Sequence, residues 1–257
     1  MKYRLQVIAV MVCFIGLHSF AEELVCWTSE SSQARLSRSN YKNDFFHLSN
    51  FYDAQENKVF CGTASASIVL NALRVRKPEW ALPKDEKFLE PEDRKQLSQQ
   101  GVNLFFNKYS QNNIVGSQLR QHMMGKPYAG SDECVYGLEL AQLAVAMRSH
   151  QLQVKEVTVC ETRLTEQLSI MKAELKQALQ DQTHYVIVNY SRQALGQPGG
   201  GHFSPLGAYD QISDSFLIMD VSNTTSEWVW VNSRLLFKAM ATRDQSKNRG
   251  YLLISES

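Results

Sequence analysis

A cysteine at the predicted start of a helix is the residue of this sequence best suited to nucleophilic chemistry. Cys61 precedes Gly62, and the apolar residues after them recur at spacings of three and four until Pro78, which predicts a helix that begins at or near Cys61. The helix dipole and the free N–H groups of a first turn stabilise a thiolate there. A buried structural cysteine is the open alternative, because free cysteine is among the residue types most often buried.

A histidine and an aspartate later in the chain are the candidates for activating that thiol. His202 follows Gly199–Gly201 at the start of an apolar run, and a thiol nucleophile needs such a base at neutral pH. Asp220 ends the next apolar run, so we expect it on a neighbouring antiparallel strand, where a carboxylate orients an imidazole. Asn223 is the alternative orienting group, but it lies in a predicted turn, which suits asparagine without any function.

Gln55 is the candidate for stabilising the charge that develops when the thiolate attacks an amide. It lies shortly before Cys61 in the sequence, and a side-chain amide together with a backbone N–H forms a suitable pair of oxyanion donors. We therefore predict an oxyanion hole made by the Gln55 side chain and the Cys61 N–H.

The composition is that of an ordinary globular protein and argues against a nucleic-acid partner. The chain has 257 residues, of which 44% are hydrophobic and 21% are charged, and its formal net charge is +1. Because 27 basic residues are balanced by 26 acidic ones, there is no basic field of the kind that nucleic acid requires.

The first residues of the chain have the pattern of a secretory signal peptide. Lys2 and Arg4 precede the apolar stretch Leu5–Leu17, and Ser19 and Ala21 place small residues at the two key cleavage positions, which predicts cleavage after Ala21. The alternative is an uncleaved anchor, but the stretch is shorter than the ~20 residues that a spanning helix needs. We expect an exported protein of bacterial type, periplasmic or secreted, that meets the membrane only through residues 1–21.

Four cysteines remain after residues 1–21, namely Cys26, Cys61, Cys134 and Cys160. Their spacing matches no zinc signature, so we expect no structural metal. In an exported chain that keeps Cys61 reduced for chemistry, Cys134 and Cys160 are the candidates for a disulfide, and Cys26 is expected to stay unpaired.

The apolar pattern predicts an α+β fold in residues 22–257. Residues 22–50 have a polar, weakly periodic sequence that we interpret as an arm leading into the domain. Helices are predicted at 61–76, 137–150 and 164–180. Strands are predicted at Tyr185–Tyr190, Phe203–Tyr209, Phe216–Val221, Trp228–Val231 and Tyr251–Ile254. The prediction is thus a helical part over about 45–182 packed on a mostly antiparallel sheet over about 183–257.

Three ordered segments of the chain resemble phytochelatin synthases. The stretch from Gln55 to Gly62 and the helix after it resemble the nucleophile region of that family, and Gly201–Tyr209 and Leu217–Val221 resemble its histidine and aspartate segments. The resemblance covers about residues 45–255, and three motifs in the same order are far more specific than any single match.

The resemblance implies a papain-like fold and an acyl transfer from glutathione. Cys61 would attack the Cys–Gly amide, release glycine and hold a γ-glutamylcysteinyl thioester, with His202 and Asp220 as its partners. Water would resolve the thioester to γ-glutamylcysteine, and a second glutathione would resolve it to phytochelatin. The family implies no required cofactor; a heavy-metal ion such as cadmium would be an activator or a thiolate-bound part of the substrate.

The resemblance also assigns the remaining site residues by position. Gln55 supplies the oxyanion hole, while Asp244 and Arg249 resemble the pair that grips the charged end of the γ-glutamyl group. Residues 244–250 form a shorter stretch than is usual in the family, and an exposed charged loop is the alternative. The chain ends soon afterwards, without the cysteine-rich tail of eukaryotic members, which resembles the short bacterial-type proteins. We therefore expect hydrolysis to dominate.

Two other functions remain open from the sequence. The first is a papain-like peptidase that uses the same residues on polypeptides. The second is a non-enzymatic exported protein in which Cys61 and His202 bind thiols or metals. The sequence carries no indication of the oligomeric state.

Overall fold

The structure is a computed structural model that describes residues 24–85, 89–101, 105–127 and 134–257. The predicted signal peptide, residues 1–21, lies outside the described residues. Within these ranges, no helix combines the length and the apolar character that crossing a membrane requires.

The described chain is an α+β structure with a large antiparallel sheet. The strands are β1 (Val25–Cys26), β2 (Lys84–Asp85), β3 (Phe106–Asn107), β4 (Leu152–Thr158), β5 (His184–Ser191), β6 (Gly201–Asp210), β7 (Ser215–Ile218), β8 (Val229–Asn232) and β9 (Gly250–Glu256). The helices are α1 (Glu30–Arg38), α2 (Asn43–Ser49), α3 (Cys61–Arg74), α4 (Pro91–Gln100), α5 (Ser117–Met123), α6 (Leu140–Ser149), α7 (Leu164–Asp181) and α8 (Ser233–Met240).

The sheet places the strands that carry the candidate histidine and aspartate side by side. Its strand order is β1-β8-β7-β6-β5-β9-β4, while β2 and β3 form a separate pair. All of the pairings in the large sheet are antiparallel. Strand β6 therefore lies between β5 and β7, and the chain reaches Asp220 two residues after β7 ends.

Helices cover both faces of the sheet, which explains why its central strands are almost uniformly apolar. Tyr185 and Ile187 of β5 face a core shared with α3 and α6, whereas Val186 and Val188 face a core shared with α7 and α8. This alternation follows from the two-residue period of side chains along a strand. Strands buried on both faces appear in sequence as continuous apolar runs.

The predicted helices and strands around the site agree with the structure. Helix α3 begins at Cys61, α6 and α7 occupy the regions predicted for them, and each of the five predicted strands is present. The strand predicted at Phe216–Val221 is shorter and ends at Ile218. Asp220 therefore lies in the connection that follows β7.

The prediction of a polar arm at residues 22–50 is wrong. This segment contains β1, which pairs with β8, and the helices α1 and α2. Trp27 packs against Trp228 with ring centroids 5.1 Å apart, and Trp230 donates a hydrogen bond to Ser32 at 3.0 Å. The apolar residues of this segment are too few to show a helical periodicity in the sequence, yet their contacts hold the segment against the sheet.

The division into a helical part and a β-rich part is less clean than predicted. Strand β4 lies in the region predicted to be helical, and it pairs along its whole length with β9. Helix α8 lies in the region predicted to be β-rich. Strand β4 occupies the edge of the sheet, and after Leu152 its residues are half-buried or exposed, so it lacks the apolar run that identifies a central strand.

The predicted disulfide is also absent from the part of the chain that the structure describes. Cys134 and Cys160 are both exposed, and no bond joins them. The sulfur of Cys160 instead lies 3.1 Å from the hydroxyl of Thr162. The prediction rested on export and cysteine count alone, which constrain pairing but do not place the two side chains near each other.

Candidate active site

Cys61 occupies the first position of α3, at the contact between that helix and the sheet. Its side chain is 7% exposed, and the backbone N–H groups of a first helical turn have no partner within the helix. A Cβ on Gly62 would lie 3.3 Å from Leu138 and 3.5 Å from Phe203. Glycine thus allows the start of α3 to approach β6 closely, which brings the thiol to the histidine strand.

His202 and Asp220 form a hydrogen-bonded line that leads to the thiol. His202 lies near the start of β6 and is 5% exposed. Its Nε2 atom is 2.9 Å from Oδ1 of Asp220, and its ring interacts electrostatically with Cys61. Because Nε2 faces the carboxylate, Nδ1 is the ring nitrogen that is left to exchange a proton with the thiol. The structure therefore brings together the three residues that the sequence singled out.

The electrostatics of the site favour a charged thiolate–imidazolium pair. Burial disfavours the Cys61 thiolate, but the charge and hydrogen bond of His202, aided by the backbone of Phe203 and Gly62, outweigh it and lower the pKa of the thiol. Burial likewise disfavours a charged His202, but Cys61 and Asp220 outweigh it and raise the pKa of the imidazole. Each partner thus stabilises the charged form of the other.

Arg192 is a fourth member of this cluster that the sequence reasoning missed. Its Nη2 atom donates to both carboxylate oxygens of Asp220 at 2.7 Å and lies 2.9 Å from Nε2 of His202. Asp220 also accepts from the backbone N–H of Ser222 at 2.8 Å. Burial would raise the pKa of Asp220, but His202, Arg192 and Ser222 together lower it.

The available signal for Arg192 was a charged residue placed directly after the mostly apolar, buried strand β5. The aliphatic part of its side chain lies beside Gly199, where an added Cβ would come within 3.0 Å of Arg192 Cδ. Gly199 has a φ of +112°, a conformation that side chains disfavour. The glycine-rich turn before His202 therefore also makes room for the arginine.

The structure separates Asp220 from its alternative, Asn223. Asp220 is fully buried and contacts His202, whereas Asn223 lies exposed in the turn that follows. Asn223 therefore occupies the structural role that its turn position suggested.

Gln55 is tied to the aspartate segment by its backbone. Its N–H donates to the carbonyl of Val221 at 2.8 Å, immediately after Asp220. The side-chain Nε2 donates to the carbonyl of Asn57 at 2.7 Å, which uses one of the two hydrogens of the amide. The second hydrogen is the donor that an oxyanion hole would use.

Asp244 and Arg249 form an ion pair against the start of the histidine strand. Arg249 Nη2 is 2.9 Å from Asp244 Oδ1, and Asn189 donates to the other carboxylate oxygen at 3.2 Å. A Cβ on Gly201 would come within 2.7 Å of Arg249 Nη2, so the guanidinium lies beside the residue that precedes His202. The pair is half-buried, unlike an exposed charged loop.

Comparison with known proteins assigns the chain to a family. The family model described as phytochelatin synthase matches residues 17–123 and 106–251. The chain belongs to the phytochelatin synthase family.

Over the described residues, no group of three or more His, Cys, Asp or Glu side chains is arranged to hold a metal ion.

Curated plant relatives carry the name glutathione gamma-glutamylcysteinyltransferase. Glutathione gamma-glutamylcysteinyltransferase 2 of Arabidopsis thaliana is 30% identical over 82% of this chain, and the match covers 39% of that protein. The enzyme of the same name numbered 3 in Lotus japonicus is 26% identical over 82% of the chain, and the match covers 37% of that protein. The enzyme numbered 1 in Triticum aestivum is 29% identical over 82% of the chain, and the match covers 36% of that protein. The chain therefore spans about two fifths of the length of these relatives.

The lowered pKa of the Cys61 thiol predicts that it stays reactive below the pH at which an ordinary thiol loses its reactivity. Since the thiolate is the reactive form, the iodoacetamide alkylation rate of Cys61 should persist as pH falls below the ordinary thiol pKa of about 8.5. Exposed Cys134 is the control within the same chain. His202→Ala should move the Cys61 profile to higher pH, because it removes the partner that stabilises the thiolate. Site-resolved mass spectrometry measures both rates, and identical profiles for Cys61 and Cys134 would exclude the ion pair.

Proposed function

We propose that this protein cleaves the Cys–Gly amide of glutathione with Cys61 as nucleophile and passes the γ-glutamylcysteinyl group mainly to water. The carrying observation is the buried cluster in which His202 hydrogen-bonds to Asp220 and is electrostatically coupled to Cys61, the first residue of a helix. The names of the curated relatives support glutathione as the donor. An antiparallel sheet that carries the histidine, packed against a helix that begins with the nucleophile, supports a papain-like arrangement.

In the first half of the reaction, the thiolate forms the acyl-enzyme. Cys61 Sγ attacks the carbonyl carbon between cysteine and glycine of the substrate, and the carbonyl oxygen becomes an oxyanion held by the Cys61 N–H and the Gln55 amide. The His202 imidazolium gives its Nδ1 proton to the leaving nitrogen. The C–N bond then breaks, glycine departs, and a thioester remains on Cys61.

In the second half, His202 changes from acid to base. Neutral His202 has a lone pair at Nδ1, because Asp220 holds the proton on Nε2. Nδ1 takes a proton from an incoming water, whose oxygen attacks the thioester and expels the thiolate, giving γ-glutamylcysteine. The amine of a second glutathione takes the same place in the minor route and gives phytochelatin.

The Asp244–Arg249 pair suits the outer end of a γ-glutamyl group. That end carries an α-ammonium and an α-carboxylate on one carbon, so it matches a carboxylate and a guanidinium held side by side. Within the described residues, Arg249 Nε and Asn189 Oδ1 are buried without a hydrogen-bond partner. Since buried polar atoms are normally paired, these atoms support a polar ligand at this position.

The remaining proposals concern the setting of the enzyme. We place it outside the cytoplasm, with residues 1–21 as its export signal. We assign it no required cofactor, and we treat a heavy-metal ion such as cadmium as an activator or as a part of a thiolate-bound glutathione substrate.

Substitution of Gln55 separates an oxyanion donor from a binding residue. Gln55→Ala should lower kcat by roughly 10²–10³ with little change in KM, because the donor acts mainly in the transition state. Steady-state glycine release measures both constants, with Cys61→Ala as the inactive reference. A raised KM with unchanged kcat would make Gln55 a binding residue instead.

The product ratio tests which acceptor resolves the thioester. A transferase must orient a second glutathione so that its amine outcompetes water, whereas water needs little positioning. Incubation of the protein with glutathione, without added metal, should therefore give γ-glutamylcysteine and glycine in excess. Phytochelatin of two units should be a minor product that grows at high glutathione or with cadmium.

The same experiment has two outcomes that would contradict the proposal. Phytochelatin in excess at every glutathione concentration would show that an acceptor site exists and that water is not the main acceptor. Glycine release that persists in Cys61→Ala would remove Cys61 from the mechanism altogether.

A further inference from the structure

A short hairpin carries the Asp244–Arg249 pair, and its geometry depends on contacts at both ends. We refer to residues 242–249 as the substrate loop. At its base, the N–H of Arg249 donates to the carbonyl of Thr242 at 2.9 Å, and near its tip the N–H of Asp244 donates to the carbonyl of Lys247 at 2.8 Å. Asn248 ties one side to the carbonyl of Val159 at 2.8 Å.

A carboxylate from the other half of the chain holds the tip of this loop. Oε1 of Glu139 accepts from the backbone N–H of Ser246 at 2.6 Å, and Oε2 accepts from the Ser246 hydroxyl at 3.0 Å. The carboxylate thus uses both oxygens on one exposed residue. Ser246 lies within the Asp244–Lys247 turn, so its backbone cannot shift far without moving Asp244.

Glu139 is itself fixed close to the nucleophile. It is the N-cap of α6, where its side chain also accepts from the backbone of the first turn. Its neighbour Leu138 is buried and is the side chain that a Cβ on Gly62 would meet at 3.3 Å. Two consecutive residues therefore contact the start of the cysteine helix and the tip of the substrate loop.

We propose that Glu139 is a positioning residue that latches the substrate loop, and so sets where Asp244 and Arg249 hold the γ-glutamyl end relative to Cys61. The proposal rests on the proposed function, because it takes the ion pair as the γ-glutamyl grip. Glu139 does not touch the reacting atoms in this scheme. Its loss therefore acts on substrate affinity and leaves the chemistry of the bound substrate largely intact.

The decisive variant separates the latch from helix capping. Glu139→Ser keeps a favoured N-cap residue for α6, but its side chain is too short to reach Ser246. We expect KM for glutathione to rise about three- to tenfold with little change in kcat, as for the loss of hydrogen bonds to a charged group. Glu139→Gln has the length of the native side chain and both an acceptor and a donor for Ser246, so it should restore most of the affinity.

Gln142→Ala is the matched control. Gln142 completes the capping box by accepting from the N–H of Glu139 at 2.9 Å, and over the described residues its side chain makes no hydrogen bond to the substrate loop. Its loss perturbs the same helix start, so a merely structural role for Glu139 would raise KM in both variants. The latch predicts a rise in Glu139→Ser alone.

Limited proteolysis tests the latch without any substrate. Lys247 is exposed in the substrate loop, and trypsin should cut after it faster in Glu139→Ser than in the native protein or in Gln142→Ala. This measurement stands even if the protein does not turn over glutathione, so it distinguishes failure of the latch from failure of the proposed function. Unchanged cleavage would overturn the latch, and faster cleavage with unchanged KM in an active enzyme would overturn its role in substrate positioning.

Discussion

The buried line of charges from Cys61 through His202 and Asp220 to Arg192 is the interaction around which this fold is arranged. Removing charged groups from water is costly unless each is paired and hydrogen-bonded. In the charged form that the pKa shifts of Cys61 and His202 favour, a thiolate and a carboxylate alternate with an imidazolium and a guanidinium, so the cluster as a whole is neutral. His202, Arg192 and the backbone N–H of Ser222 together lower the pKa of Asp220 and so favour its carboxylate in a fully buried position.

The elements of the fold supply one charge each, which explains why the large sheet must be assembled before the site exists. Helix α3 begins with the thiol, β6 carries the imidazole, the connection after β7 carries the carboxylate, and the turn after β5 carries the guanidinium. Since β5, β6 and β7 are adjacent, three of the four groups share one region of the sheet. Helices packed on both faces exclude water from that region, which strengthens the interactions among the charges.

The sequence was most informative where a residue suited to catalysis lay next to a clear apolar pattern. The apolar spacing after Cys61 predicted both the helix and the place of the candidate nucleophile at its start, and the apolar runs before and after the glycine-rich turn predicted the strands around His202. The apolar run that Asp220 ends predicted its position, whereas the assignment of Asp244 and Arg249 came from the family resemblance. These predictions rest on local patterns, which a single sequence contains.

The features that the sequence did not reveal depend on contacts between distant segments. Arg192 has no local signal beyond its charge, and only the folded sheet brings it to Asp220. Residues 22–50 are held by a few aromatic anchors and by pairing with β8, and strand β4 forms an edge with an alternating pattern. Glu139 and Ser246 are 107 residues apart, so no pattern in the sequence links them.

The most direct test of the account is the detection of an acyl group on Cys61 during turnover of glutathione. Rapid acid quenching followed by intact-mass measurement and peptide mapping should find one γ-glutamylcysteinyl group on the peptide that contains Cys61. The adduct should be labile to hydroxylamine, as a thioester is, and absent in Cys61→Ala. An acyl group on another residue during turnover of glutathione would contradict the account. So would turnover in which Cys61 carries no adduct under conditions that trap thioesters, because the amide would then be hydrolysed directly.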